Sequence, residues 1–542
     1  MILKENTSHQ KLRGAYYTPL SLAEKIVEYF KDDDSIKTVL EPSCGDGVFF
    51  DALKNLCLIQ KIKQLDGIEI EKDEVVKLKE KVSAFKNINI QHFDFFTFYK
   101  ENSDSKKYDL ILGNPPYIRY QYLTESQRNE MSEILTSHKM KSNKLINTWV
   151  AFVVASVQLL SENGKIAFVI PVDILQVAYA EDLRIFLTQE LSNITVLAFK
   201  NLIFHDIEQE VVVFIGEKKS NKKGIRIVEF KDISDISIPE IKRTEFRVFS
   251  NSHEKWTKYF ISKTETDLIS AIKNDNRFQK LSDCALINIG VTTGNNSYFS
   301  VDKTTAQNYD LESISIPLIG RSSHANSVYF EKSDWEENAN NNKAAYLVIF
   351  PQIPFGLYSQ GQKDYIKLGE ETNQNKGYKC SIRDKWYQIP SIWIPDAFFL
   401  RRNNLYPKFV LNHCGAISTD TMHRIKFNDG VEPERIVLSY YNSISFAFTE
   451  ICGRSYGGGV LEILPREMGN MYVPKLDSVP IEKIRSALKK VDEIVRKNDS
   501  IETALDFVDS AILVEYVKIE KNVCVQARNI WKKMQSRRLT RN

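Results

Sequence analysis

The chain has 542 residues, with 73 Lys and Arg against 70 Asp and Glu, and 43% of its residues are apolar. This length exceeds one hydrophobic core and predicts two or three domains, while a net charge of only +3 suits a nucleic-acid partner where positive charge is clustered. Seven cysteines without a paired C-x-x-C spacing argue against a disulfide framework and against a zinc site, and they point to a reducing compartment.

The segment Met1–Thr7 carries no apolar signal region, and the longest apolar stretch, Trp149 to Leu160, is too short and interrupted to cross a bilayer, so a soluble intracellular protein is expected. The run Thr38-Val39-Leu40-Glu41 predicts a strand that enters the turn Pro42-Ser43-Cys44-Gly45-Asp46-Gly47, followed by a helix beginning near Val48. Glycines at 45 and 47 allow the backbone to approach a ligand at the carboxyl edge of a parallel sheet, where open α/β folds bind ligands. Phe50 occupies the place of the third glycine of a dinucleotide fingerprint, which disfavours a nicotinamide cofactor. A second strand, Leu65–Ile70, ends in Glu69, about twenty residues past the turn, the separation at which a carboxylate accepts both ribose hydroxyls. A third, Ile88–Phe96, delivers Asp94 and Phe95 to the next strand end, suited to an adenine amino group and an adenine face. Single acids at such places also serve as helix caps. Glu41, Glu69 and Asp94 at successive strand ends are harder to explain that way.

The fourth strand, Tyr108–Gly113, runs into Asn114-Pro115-Pro116-Tyr117. An amide oxygen accepts from an exocyclic NH2, a carbonyl preceding a proline belongs to a restricted backbone, and the Tyr ring can stack on a base. The quartet therefore suits the gripping of a planar amine. Downstream, Asn147–Phe152 and Asn163–Pro171 supply a helix and a strand, and Ile203-Phe204-His205-Asp206 precedes the apolar run Val211–Phe214.

With Arg13-Gly14-Ala15-Tyr16-Tyr17-Thr18-Pro19 placed before the glycine turn, this order of motifs resembles the TaqI-type, gamma-class DNA adenine-N6 methyltransferases, over roughly the first 215 residues. The resemblance implies an α/β fold: a Rossmann-like methyltransferase sheet with helices on both faces, a mixed α/β C-terminal target-recognition domain and a helical C-terminus. It implies S-adenosylmethionine held by Tyr17, Thr18, Glu41, Ser43, Gly45, Glu69, Ile70, Asp94, Phe95, Pro116 and Phe152. Asn114 and Pro115 would act on the target amine, Tyr117 and Phe204 would clasp a flipped adenine, and no metal is implied. The partner implied is double-stranded DNA, bound by a monomer in a bacterial or archaeal cytoplasm, with a cognate restriction endonuclease as a candidate companion.

The Lys-rich patch Glu217–Gly224 interrupts the alternation of strands and helices, and domains are expected at 1–245 (catalytic), 246–475 (target recognition) and 476–542 (a helical, basic extension). Gly290–Asn296, Arg383–Tyr387 and Ser418–His423 look like parts of the family's target-recognition region. Ile481, Ile484, Leu488, Val491 and Val495 form an apolar helical stripe that packs on its own domain. The basic cluster from Lys518 onward suits either a phosphate contact or a solvated tail. An enzyme acting on RNA or on a protein glutamine amide remains an alternative, since both present an NH2 on a conjugated system. No Asp…Glu-x-Lys nuclease constellation stands outside the assigned regions.

Overall fold

The computed structural model describes residues 17–143, 146–204, 209–249 and 254–540. Residues 13–16 of the capping motif, His205, Asp206 and Arg541 lie outside them. The chain divides into two compact units, one reaching Phe260 and one spanning Ile261–Leu539.

The first unit is built on an eight-stranded sheet. Helix α1 (Leu20–Tyr29) precedes β1 (Thr38–Glu41), α2 (Val48–Asn55), β2 (Gln64–Glu69), α3 (Lys72–Lys81), β3 (Ile88–His92), α4 (Phe95–Asn102) and β4 (Tyr108–Gly113). Then follow α5 (Glu125–Ser137), α6 (Thr148–Gln158), β5 (Leu160–Pro171), α7 (Glu181–Glu190), β6 (Asn193–Phe199), β7 (Val211–Glu217) and β8 (Gly224–Phe230). Strand order is β3-β2-β1-β4-β5-β7-β6-β8, parallel except for β7, which runs against both β5 and β6. The β-branched and aliphatic runs explain why the middle strands are buried on both faces: every residue of β6 is buried, as is β5 from Ile166 to Pro171. Helix α6 is buried from Thr148 through Val157, which is why its sequence reads as apolar on every side. Order reverses at β1, with β2 and β3 to one side and β4 to the other, and the carboxyl ends there open a crevice. No described helix is long and apolar enough to cross a membrane.

In the second unit the largest sheet has five strands, in the order Ala285–Ile289, Met422–Phe427, Ala397–Leu400, Phe409–Asn412 and Tyr329–Phe330. The three expected recognition segments meet beside it. Val291 N donates to Ser418 O at 2.7 Å and Gly290 N to Met422 O at 3.0 Å. Arg383 donates to Thr292 O at 3.2 Å, and Asn296 donates to Asp420 Oδ1 at 3.0 Å. Gly290 permits this approach, because a Cβ there would lie 1.8 Å from Thr419 O.

The C-terminal helices Ile481–Arg496, Ile501–Val508 and Lys521–Leu539 belong to this second unit rather than standing apart. Ile484, Leu488, Val491 and Val495 are buried, and the Trp531 ring meets Phe446 edge-on at 5.2 Å. The basic cluster is largely spent inside the unit. Arg538 pairs with Glu450 at 2.8 Å with both side chains nearly inaccessible, Arg528 lies 3.1 Å from Asp506 and 3.3 Å from Asp509, Lys532 meets Glu502, and Lys533 lies 2.9 Å from Glu265. Its positive charge answers carboxylates far away in sequence, which spacing along the helix does not reveal.

Candidate active site

The carboxyl ends of β1 to β4 border a cleft of about 360 Å³. The turn after β1 shapes its floor. Gly45 and Gly47 adopt left-handed φ values of 53° and 78°, and Gly45 N donates to Glu69 Oε2 at 2.8 Å, tying the turn to the end of β2. Glu71 N donates to the other oxygen of Glu69 at 2.9 Å, so the carboxylate is aimed by two backbone amides and each oxygen keeps accepting capacity. Burial pushes the Glu69 carboxyl up, and the amides of Glu71 and Gly45 pull it back down. The Phe50 ring belongs to this packing, since a Cβ on Gly67 would come within 2.9 Å of it.

At the end of β3, Asp94 caps α4 by accepting from Phe96 N at 2.8 Å and Thr97 N at 3.2 Å through Oδ1. Both cap bonds go to that one oxygen, and the residue lines the cleft. Behind it, Phe152 stacks on Phe95 with centroids 4.8 Å apart and meets Phe96 edge-on at 5.0 Å.

The quartet leaves β4 under restraint. Ser43 Oγ donates to Asn114 O at 3.2 Å, and Thr148 Oγ1 donates to Pro116 O at 2.6 Å while accepting from Ile118 N at 3.0 Å. Thr148 N also donates to Ile118 O at 3.0 Å. Asn114 and Pro116 line the cleft; Pro115 does not border it. Tyr117 is buried, with its hydroxyl donating to Val169 O at 3.0 Å, and Phe204 is buried too; neither ring borders the cleft.

Tyr17 is 45% exposed at the mouth, within 3.4 Å of where a Gly45 Cβ would stand, and Ile70 is an exposed residue of the same lining. Thr18 is buried, and among the described residues its hydroxyl has no hydrogen-bond partner; the same holds for Glu41 Oε2. The lining is acidic: Glu41, Asp46, Glu69, Glu71, Glu74 and Asp94 contribute carboxylates, and no Lys, Arg or His is among the described lining residues.

A family description of the Eco57I restriction-modification methylase matches residues 26–204, and that of the C-terminal domain of the Type II methyltransferase M.Eco57I matches residues 253–513. The two matches support a gamma-class-like Type II DNA methyltransferase. The Type II methyltransferase M.AccI of Acinetobacter calcoaceticus is 24% identical over 94% of each chain. M.HindII of Haemophilus influenzae is 25% identical over 58% of this chain and 60% of its own. Among solved structures, the MmeI restriction-modification enzyme, determined in complex with DNA, shares the fold with a TM-score of 0.53, at 15% identity over 98% of this chain and 77% of that one. These similarities agree with the gamma-class resemblance carried by the motif order.

Sequence reasoning passed over several residues of this methylase's cleft. Thr148 anchors the quartet, and Phe96, Tyr122, Leu123 and Gln127 line the wall. Thr148 had a legible signal, a hydroxyl at the first position of a helix whose next seven residues, Trp149 to Ala155, are all apolar. The wall residues had none, because the turn Tyr120–Tyr122, Leu123 and the first turn of α5 reach the cleft through tertiary packing that no local pattern encodes.

Proposed function

We propose that this methylase binds S-adenosylmethionine in the cleft and transfers its methyl group to the exocyclic N6 of an adenine swung out of duplex DNA. The observation that carries the reading is the order of four strand ends. Along the carboxyl edge, Asp94 follows β3, Glu69 closes β2, Glu41 closes β1 and Asn114 follows β4, with those strands adjacent in that sequence. Asp94 suits a purine amino group, the Phe95, Phe96 and Phe152 rings supply an apolar face, and Glu69 suits ribose hydroxyls. A nucleoside laid along this edge points its 5′ end toward Asn114.

The residues fit that ligand. The Thr18 hydroxyl and Glu41 oxygen, without partners among the described residues, and a described lining of carboxylates without Lys, Arg or His, suit a nucleoside that carries positive charge. Bound there, S-adenosylmethionine supplies an electrophilic methyl group. The protein's own contribution is to the amine. Adenine's exocyclic nitrogen is a poor nucleophile because its lone pair is delocalised into the ring. The Asn114 side-chain oxygen and the Pro115 carbonyl accept its N–H groups, which draws the nitrogen toward tetrahedral geometry and frees the lone pair. Catalysis is then positioning plus electrostatic stabilisation. Two prolines and the hydroxyls of Ser43 and Thr148 hold those acceptors in place. Extruding a paired base costs a few kcal/mol, and we assign its partial recovery to stacking against Tyr117 and Phe204. The polar segments gathered at Gly290, Arg383 and Asp420 are our candidates for reading base edges.

Single-molecule sequencing of DNA from a methylation-free bacterial host expressing the chain tests this. Methylated adenine in one recurring motif, absent with Asn114→Ala, is expected. Unmodified DNA alongside methylated RNA or methylated protein glutamine would replace the proposal with one of its rivals.

A further inference from the structure

Glu41 is the one acid of the strand-end row whose position the reading above leaves without a chemical partner. Neighbouring strands lie about 4.8 Å apart. With the adenine at Asp94, the ribose at Glu69 and the target amine at Asn114, the cofactor's sulfonium falls opposite Glu41, between ribose and amine. Contact with the quartet's strand is close, since a Cβ on Gly113 would stand 3.7 Å from Glu41 Cγ.

The surroundings of Glu41 are unusual for a carboxylate. The residue is 2% exposed, and Oε2 has no hydrogen-bond partner among the described residues. Facing it are Cys44 and Asp46 of the turn, Asp51 on α2, Glu69 on β2 and Lys81 on α3. Lys81 is committed elsewhere, to Asp51 at 2.5 Å and to the Asp46 carbonyl at 3.0 Å. A buried carboxyl with no free cation beside it among the described residues, and with other carboxylates near it, holds its proton rather than its charge. In keeping with this, burial, and then Asp46 and Glu69, push the Glu41 carboxyl well above the usual carboxylate range.

We infer that Glu41 is a proton-exchanging counter-ion for the cofactor's sulfonium, neutral in the empty cleft and ionised when the sulfonium enters, so that the cleft prefers the methyl donor to its demethylated, neutral-sulfur product. The inference rests on the cofactor reading given above. Charge balances: one O–H bond of Glu41 breaks, its proton passes to solvent, and one positive charge arrives as one leaves. Once the sulfur is neutral, Glu41 takes a proton back and the product's hold on the cleft weakens. Affinity for the donor then rises up to tenfold per pH unit until the carboxyl of the empty cleft itself ionises, while affinity for the product stays nearly level.

Calorimetry on the full chain, with S-adenosylmethionine and S-adenosylhomocysteine titrated at pH 7 in buffers of different ionisation enthalpy, counts the protons exchanged. Release approaching one proton for the donor and close to none for the product is expected. Glu41→Gln should abolish the release and lower the donor-to-product affinity ratio by tenfold or more. Equal release by both ligands would overturn the inference, because Glu41 would then answer a group that they share, and so would release by neither. These wild-type measurements decide the matter even if the variant does not fold. If neither ligand binds, the cofactor reading itself falls, an outcome distinct from binding without proton release.

Discussion

Thr148→Val removes one oxygen and leaves the shape of the side chain almost unchanged, yet that oxygen holds two parts of the quartet's loop. It donates to Pro116 O at 2.6 Å and accepts from Ile118 N at 3.0 Å, in a side chain that is 2% exposed. Each backbone group deprived of its partner costs about 1–3 kcal/mol if it stays buried. The surviving Thr148 N to Ile118 O bond, 3.0 Å long, keeps the loop near its place, and cleft water can reach part of it. A net cost of about 2 kcal/mol remains, and if it falls on the geometry of Asn114 it corresponds to about a 30-fold loss of kcat. The assay is transfer of labelled methyl groups to DNA under saturating cofactor, with cofactor affinity measured separately and thermal melting to check the fold. The expected pattern is a large fall in kcat, a cofactor affinity within a few-fold of wild type, and a melting temperature lowered by only a few degrees. An unchanged kcat, or a loss confined to cofactor affinity, would refute the idea that Thr148 positions the amine-binding loop.

Other perturbations separate the remaining roles. Asn114→Ala should abolish transfer while leaving S-adenosylmethionine binding largely intact in calorimetry; loss of both together would break the division between amine and cofactor residues. Glu69→Ala should weaken that binding tenfold to a hundredfold or more, since about 1.5–3 kcal/mol is lost with a charged acceptor and the Gly45 anchor goes with it. An unchanged dissociation constant would demote Glu69 to a support for the turn. Phe204→Trp should keep most activity on duplex DNA and Phe204→Ala least, with Leu between, because stacking is worth about 1–3 kcal/mol; if Leu is best and Trp worst, Phe204 is a packing residue only. In the second unit, burial, and then Lys343 and Arg321, push the His324 imidazole down to about 4. Its ring is neutral when folded and protonates near 6.5 when unfolded, so its contribution is fully present above about pH 6.5 and drains as pH falls toward 4, by about 3 kcal/mol at most. Melting curves across that window should be less steeply pH-dependent for His324→Gln, and equal slopes would remove His324 as the cause.

The first unit was legible to the extent that its chemistry sits at strand ends. A β-branched run ending in an acid or in Asn-Pro-Pro can be placed from local pattern, and Gly45, Glu69, Asp94 and Asn114 do come together at one cleft. Orientation was less legible, because it depends on partners far along the chain. The Tyr117 hydroxyl is taken by Val169 O, and Asp94 spends one oxygen on its own helix. The same limit applied to the C-terminus. Arg538 and Arg528 look like free positive charge until Glu450 and Asp509 are folded against them.

Delivery of a methyl group to adenine N6 by way of the quartet leaves a directly measurable product. Mass spectrometry of nucleosides from DNA incubated with the purified chain and trideuteromethyl-labelled S-adenosylmethionine tests it most directly. N6-(trideuteromethyl)deoxyadenosine is expected from the wild-type chain and none from Asn114→Ala. Label found on cytosine, or only on RNA or protein, or on adenine at equal levels with Asn114→Ala, would contradict it.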